Sequence, residues 1–192
     1  MRIAGIDYSM TSPAICTHFG EIWDYHNCQF YFLTKTKKLA CKHLDGRIKG
    51  TLIKDYKCSE ERYENISQWA ASKILLFDGV MLEGYAYGAT GRVFDVAENT
   101  GILKYKLWGS GTEYEVVSPS QVKKFATGSG AATKDKMHEA WMDETGLNLH
   151  EELTPKRERV GNPVSDVVDA YFICKFLFYN PTDKMKIILS CH

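Results

Sequence analysis

The sequence predicts an α/β protein built on one mixed five-stranded sheet, three antiparallel strands followed by parallel ones, flanked by helices. Three observations lead there. The first 34 residues hold three strand-like runs joined by short connections, which favours an antiparallel meander. From residue 59 onward, helical periodicity alternates with short apolar runs. The chain then reaches a long, strongly apolar helix near its C-terminus, and such a pattern layers helices on a sheet.

Taken in order, residues 2–9, 13–18 and 27–34 are the three strands, with Phe19-Gly-Glu21 as a turn signal. Residues 35–57 lack clear periodicity and are expected to form an excursion or loop. Ser59-Glu-Glu opens a helix, with Ser59 suited to the N-cap and two acids to the first turn. Tyr63, Ile66, Ala70, Ile74 and Phe77 share one face of it. Asp78-Gly79 ends that helix and 80–85 follows as a strand. A second helix is expected over 88–108, then a fifth strand over 113–117. Ser118-Pro-Ser-Gln121 has the form of a capping box with proline at the first helical position. A glycine-rich loop at 127–132 leads to a helix from Lys134 to about Glu144, and 145–161 is polar loop. The last long helix, 164–179, opens at Asn162-Pro163, read as N-cap and first-turn proline. In the tail, 181–192, Ile187-Ile-Leu189 is a candidate short strand. One domain over 1–192 is expected from this length. The first strand lies centrally, with the strand ending near Glu83 beside it in parallel.

Composition excludes little. Apolar residues make up 44% and charged residues 25%, as in ordinary globular proteins. Lys+Arg and Asp+Glu balance at 24 each, yet between residues 34 and 57 eight basic residues face only Asp45 and Asp55. A balanced total therefore conceals a local basic patch. The six cysteines form no Cys-x-x-Cys pair, and Cys41, His43 and Cys58 match no common zinc spacing. No signal peptide is evident, and Lys175 interrupts the best candidate for a bilayer span. A reducing, cytoplasmic setting without a membrane partner is the expectation.

Four acids stand where folding alone disfavours them. Asp7 sits inside the apolar strand of residues 2–9, Glu83 interrupts Val80-Met-Leu, and Asp166 and Asp169 lie three apart at the start of the apolar last helix. A buried carboxylate is costly unless it is paired, hydrogen-bonded or bound to a cation. If these segments meet, they form a cluster of like charges that a divalent metal would relieve. Oxygen donors of this kind suit Mg²⁺, with Mn²⁺ able to substitute, and two ions per site can serve phosphodiester hydrolysis.

With these residues in view, the chain resembles the RuvC-type Holliday junction resolvases of the RNase H-like nuclease superfamily. Gly5-Ile-Asp-Tyr-Ser9 is similar to the family's first-strand motif and Leu82-Glu-Gly84 to its second acid motif. The stretch from Val122-Lys-Lys through Gly128-Ser-Gly-Ala-Ala-Thr-Lys134 resembles the family's lysine- and glycine-rich segment. Ser165-Asp-Val-Val-Asp-Ala170 resembles its terminal Asp-x-x-Asp-Ala. The resemblance implies an RNase H-like fold, with Asp7, Glu83, Asp166 and Asp169 as metal-binding catalytic acids. It implies Lys123 and Lys134 as cations near the scissile phosphates, with Lys124 and Lys136 beside them as DNA-binding candidates. It also implies a homodimer acting on branched DNA, chiefly four-way junctions, and cleavage leaving 5′-phosphate and 3′-hydroxyl ends.

Two departures stand out. The family's wedge aromatic falls at Ala86 here, leaving Tyr85 and Tyr87 as candidates to stack on a base. The basic stretch 35–57 is longer than the pattern suggests, as in a phage-encoded enzyme acting on varied branches in an infected or bacterial cell. The competing expectations are another RNase H-like nuclease, acting on flaps or RNA–DNA hybrids, and a catalytically silent junction-binding protein. Val93, Val96, Ala97 and Leu103 on the second long helix are the expected dimer surface.

Overall fold

The computed structural model describes residues 1–40, 43–44, 46–84 and 93–190. Strands β1 (Arg2–Asp7), β2 (Ala14–Phe19) and β3 (Cys28–Thr34) form the antiparallel meander, with a 3₁₀ turn at Tyr25–Asn27 before β3. Next come α1 (Lys37–Ala40), β4 (His43–Leu44), β5 (Ile48–Leu52), α2 (Ser59–Ile74) and β6 (Gly79–Glu83). The chain continues through α3 (Val93–Gly109), β7 (Tyr114–Val117), α4 (Pro119–Thr127), α5 (Lys134–Thr145), α6 (Leu149–Leu153), α7 (Val164–Tyr179) and α8 (Asp183–Ser190).

Among the described residues the sheet has seven strands, ordered β4-β5-β3-β2-β1-β6-β7. The five expected strands are all there, and β1 lies centrally with β6 parallel to it. The two extra strands come from the basic stretch. There β5 pairs in parallel with β3, and β4 pairs antiparallel with β5. Their signal was faint because β5 is half-exposed, burying Ile48 and Gly50 while Thr51 and Leu52 face solvent. Gly50 is a packing requirement, since a Cβ there would lie 2.3 Å from the Leu39 carbonyl oxygen.

Strand alternation divides the core. On one face Ala4, Ile6, Ile15, Val80 and Leu82 pack against Ile66, Ala70 and Ile74 of α2 and Leu103 and Leu107 of α3. On the other, Ile3, Cys16, Phe30, Phe32 and Met81 pack against α7 and α5, with Trp141 and Tyr171 fully buried. Helix α7 comes closest at Gly5, where a Cβ would sit 2.1 Å from the Cys174 backbone nitrogen and 2.6 Å from the Ala170 carbonyl oxygen.

Several local expectations need correction. The N-cap of α2 is Cys58, with no side-chain cap, so Ser59 is the first helical residue. Residues 145–161 contain the short α6, whose N-cap Asn148 accepts from the Glu151 amide. Ile187-Ile-Leu189 belongs to α8, because Met185 and Leu189 fold back over Gly79. The capping box at Ser118 and Gln121 is present as read.

Candidate active site

The site is built at the C-terminal ends of β1 and β6. In β1, Gly5 faces α7 and Ile6 faces α2, so the next residue, Asp7, turns back toward α7. In β6, Met81 faces α7 and Leu82 the opposite core, so Glu83 also returns to the α7 side. The β1–β6 register pairs Ile6 with Leu82, placing Asp7 and Glu83 one step further along neighbouring strands. Helix α7 begins above this end and presents Asp166 in its first turn and Asp169 one turn later.

All four expected acids therefore converge. Asp7 and Asp166 are buried, and Asp169 and Glu83 are half-buried. Burial and then the charges of Asp166, Glu83 and Asp169 push the Asp7 carboxyl well above its ordinary range. Burial, followed by Asp169, raises Glu83 to about 7, partly offset by Lys123 and Lys134. Burial and Asp166 raise Asp169 to about 6. Asp166 is also raised by burial, but the Ser12 hydroxyl and the Lys134 charge draw it back. Asp7 and Asp166 come within hydrogen-bonding reach of each other.

These four groups are hard oxygen donors, deprived of water and repelling one another, which is the chemistry a divalent cation neutralises. Among the described residues, no three His, Cys, Asp or Glu side chains stand in a geometry that grips a metal ion as they are placed. The donor set fits a hard cation by its chemistry, not by its present spacing.

Lys123 on α4 and Lys134 at the start of α5 are the cations acting on the acids. Thr133 caps α5 by accepting from the Lys136 amide, which fixes where Lys134 emerges from the glycine-rich loop. Gly128 closes α4 at a φ of 79°, a left-handed conformation that favours glycine. Lys124 and Lys136 are exposed on the same two helices. Tyr85, Ala86 and Tyr87 lie outside the described residues.

Three further polar residues frame the acids. The Ser12 hydroxyl, in the loop after β1, donates to Asp166 Oδ2. Asn162 Nδ2 donates to Ser12 Oγ at 2.6 Å, while Asn162 Oδ1 accepts from Lys134 Nζ at 3.1 Å. Ser165 Oγ accepts from the same lysine at 3.1 Å and donates to Asn162 Oδ1. Asn162 is thus a bridge between the lysine and the Ser12–Asp166 pair, where an N-cap was expected. The cap position is Pro163, which follows a cis peptide bond. Asn162 beside a helix-opening proline was visible in the sequence; nothing marked Ser12.

No family model matches this chain, and no curated protein sequence matches it. Solved structures do. Thermus thermophilus RuvC matches with a TM-score of 0.59 at 16% identity, over 92% of this chain and 95% of that one. The same protein in complex with a Holliday junction substrate gives 0.60 at 16% identity, over 93% and 94%. The yeast mitochondrial Holliday junction resolvase Ydc2 gives 0.51 at 12% identity, over 98% of this chain and 82% of that one. With its central β1, its parallel β6 and α7 crossing above them, this chain has the RNase H-like fold of the RuvC-type Holliday junction resolvases.

Proposed function

We propose that the chain is a divalent-metal-dependent endonuclease that cuts four-way DNA junctions, acting as a homodimer with two sites. The observation that carries this reading is the convergence of Asp7, Glu83, Asp166 and Asp169. Three segments distant in sequence deliver four carboxylates to one place that disfavours their charge. Such placement destabilises the fold and is explained by a function that uses it.

In this reading Asp7 anchors the centre and Glu83, Asp166 and Asp169 complete the ligand set. When bound, the cation supplies Lewis acidity toward the scissile phosphate and lowers the pKa of the attacking water. Ser12 and Asn162 are positioning residues that hold the Asp166 carboxylate in orientation. Lys134, held by Asn162 and Ser165, meets a phosphate oxygen, and Lys123 approaches from α4. Water then attacks phosphorus, the 3′ oxygen leaves and takes up a proton, and 5′-phosphate and 3′-hydroxyl ends result. Tyr85 or Tyr87 would stack on a base at the branch point.

The fold of RuvC and Ydc2 supports a branched substrate, since one of the matched RuvC structures holds a Holliday junction. The test is cleavage of a mobile four-way junction, a flap and an RNA–DNA hybrid side by side in Mg²⁺. Symmetric paired nicks in the junction are expected. A preferred single cut near a flap base, or in the hybrid, would move the assignment to another RNase H-like nuclease.

A further inference from the structure

The basic stretch between β3 and α2 has no role in the centre just described, yet the topology brings it to the same end of the molecule. Strand β3 runs parallel to β1, so residues 35–38 leave the sheet at the end where Asp7 stands. The α6–α7 connection reaches this end too, because it leads into the first turn of α7. The two segments enclose a cleft of about 230 Å³ lined by Thr36, Lys38, Thr154, Lys156 and Arg157, with Leu39 and Leu153 at its base.

The lysines of this cleft differ from several lysines elsewhere. Lys106, Lys175, Lys184 and Lys186 each hold a carboxylate partner. Among the described residues no ion pair involves Lys35, Lys37, Lys38, Lys54 or Lys156, and all five are exposed. Arg157 is held in place, its guanidinium donating to the Asn162 carbonyl at 2.6 Å. Asn162 in turn holds Ser12 and Lys134, so the cleft is joined to the acid centre by a short chain of hydrogen bonds. Unpaired cations gathered at a rim, with hydroxyls among them, match a polyanion.

We propose that this cleft is a second phosphate-binding site, which grips the backbone of a double-stranded DNA arm away from the scissile phosphate. Lys38 and Lys156 supply mobile charge, and Arg157 offers a fixed fork. The α1–β4–β5 insertion thereby extends the electrostatic track from the cutting centre toward the β5 edge. This assignment builds on the nuclease reading by giving its substrate an arm contact, and it names residues outside the four acids.

The experiment measures equilibrium binding of a labelled four-way junction by fluorescence anisotropy across a salt series, without divalent metal. It compares wild type, the double variant Lys38→Ala/Lys156→Ala, the charge-conserving Lys38→Arg/Lys156→Arg, and Lys186→Ala as a distant control. Each lost phosphate contact lowers the slope of log K against log salt by about 1, so the alanine pair should lower it by about 2. The arginine pair and Lys186→Ala should retain the wild-type slope, and nick positions in Mg²⁺ should not move. An unchanged slope in a folded alanine pair, or an equal drop in Lys186→Ala, overturns the proposal. If wild type cuts no branched DNA while the slope still falls by about 2, the nuclease reading fails and the cleft stands.

Discussion

Glu83 shows how much a single side chain at this centre is held against its preference. Burial and the charge of Asp169 push its carboxyl up to about 7, while an unfolded chain releases the proton near the ordinary value of 4.5. Between those values the folded state binds more protons than the unfolded one, so rising pH destabilises the fold across that window. Asp169, raised to about 6, acts in the same direction. With EDTA present, Glu83→Gln should flatten the fall in Tm between pH 5 and pH 8 relative to wild type. Equal falls in the two proteins would show that Glu83 is not strained. Mg²⁺ should raise the wild-type Tm more at pH 8, where these carboxylates are charged, than at pH 5, where they hold protons. Asn162 calls for a different measurement. Asn162→Ala should slow junction cleavage by about 10–100-fold, the usual cost of removing a group that orients a metal ligand. Junction affinity should stay near wild type, and a matching loss of affinity would make Asn162 a binding residue instead. Asp7 and Glu83 were legible in the sequence because acids in apolar strand positions are conspicuous. Ser12 was not, since a serine in a loop has no periodicity to violate, and its partner Asp166 is 154 residues away.

At the scale of elements, the contact between β1 and α7 fixes the centre, because it sets the height of Asp166 above Asp7. Gly5 makes that contact possible. An alanine there would place its Cβ 2.1 Å from backbone that cannot rotate aside, so strand and helix must separate. Gly5→Ala should cost about 3 kcal/mol, at the upper end for overpacking, or more. Chemical denaturation measures this, and a loss under about 1 kcal/mol would show that α7 can shift freely. The meander was readable from its short connections, α2 from periodicity, α4 from its capping box and α7 from its long apolar run. The excursion was not, because a half-exposed edge strand such as β5 lacks both alternation and a continuous apolar run. The tail misled for the opposite reason: Ile187-Ile-Leu189 is β-prone locally, but Met185 packs at the head of β6 in a helical spacing.

For the whole molecule, the proposed junction cutting calls for two centres facing two strands. Among the described residues, helix α3 presents Phe94, Tyr105 and Trp108 at 81%, 70% and 72% exposure, around Gly101, where a Cβ would meet nothing within 4 Å. Leu103, expected on that surface, is instead buried against α2. Two copies of α3 crossing antiparallel at Gly101 would set Phe94 against the second copy's Trp108. Trp108→Glu should therefore yield a monomer by sedimentation and abolish paired nicking, while thermal stability stays close to wild type. A dimer that survives Trp108→Glu would place the interface elsewhere. The central claim, that the four carboxylates form a metal-dependent cutting centre, is tested most directly with Asp7→Asn on a four-way junction in Mg²⁺ and in Mn²⁺. The expected result is loss of cleavage in both metals with junction binding retained. Cleavage at the wild-type rate by Asp7→Asn would contradict it.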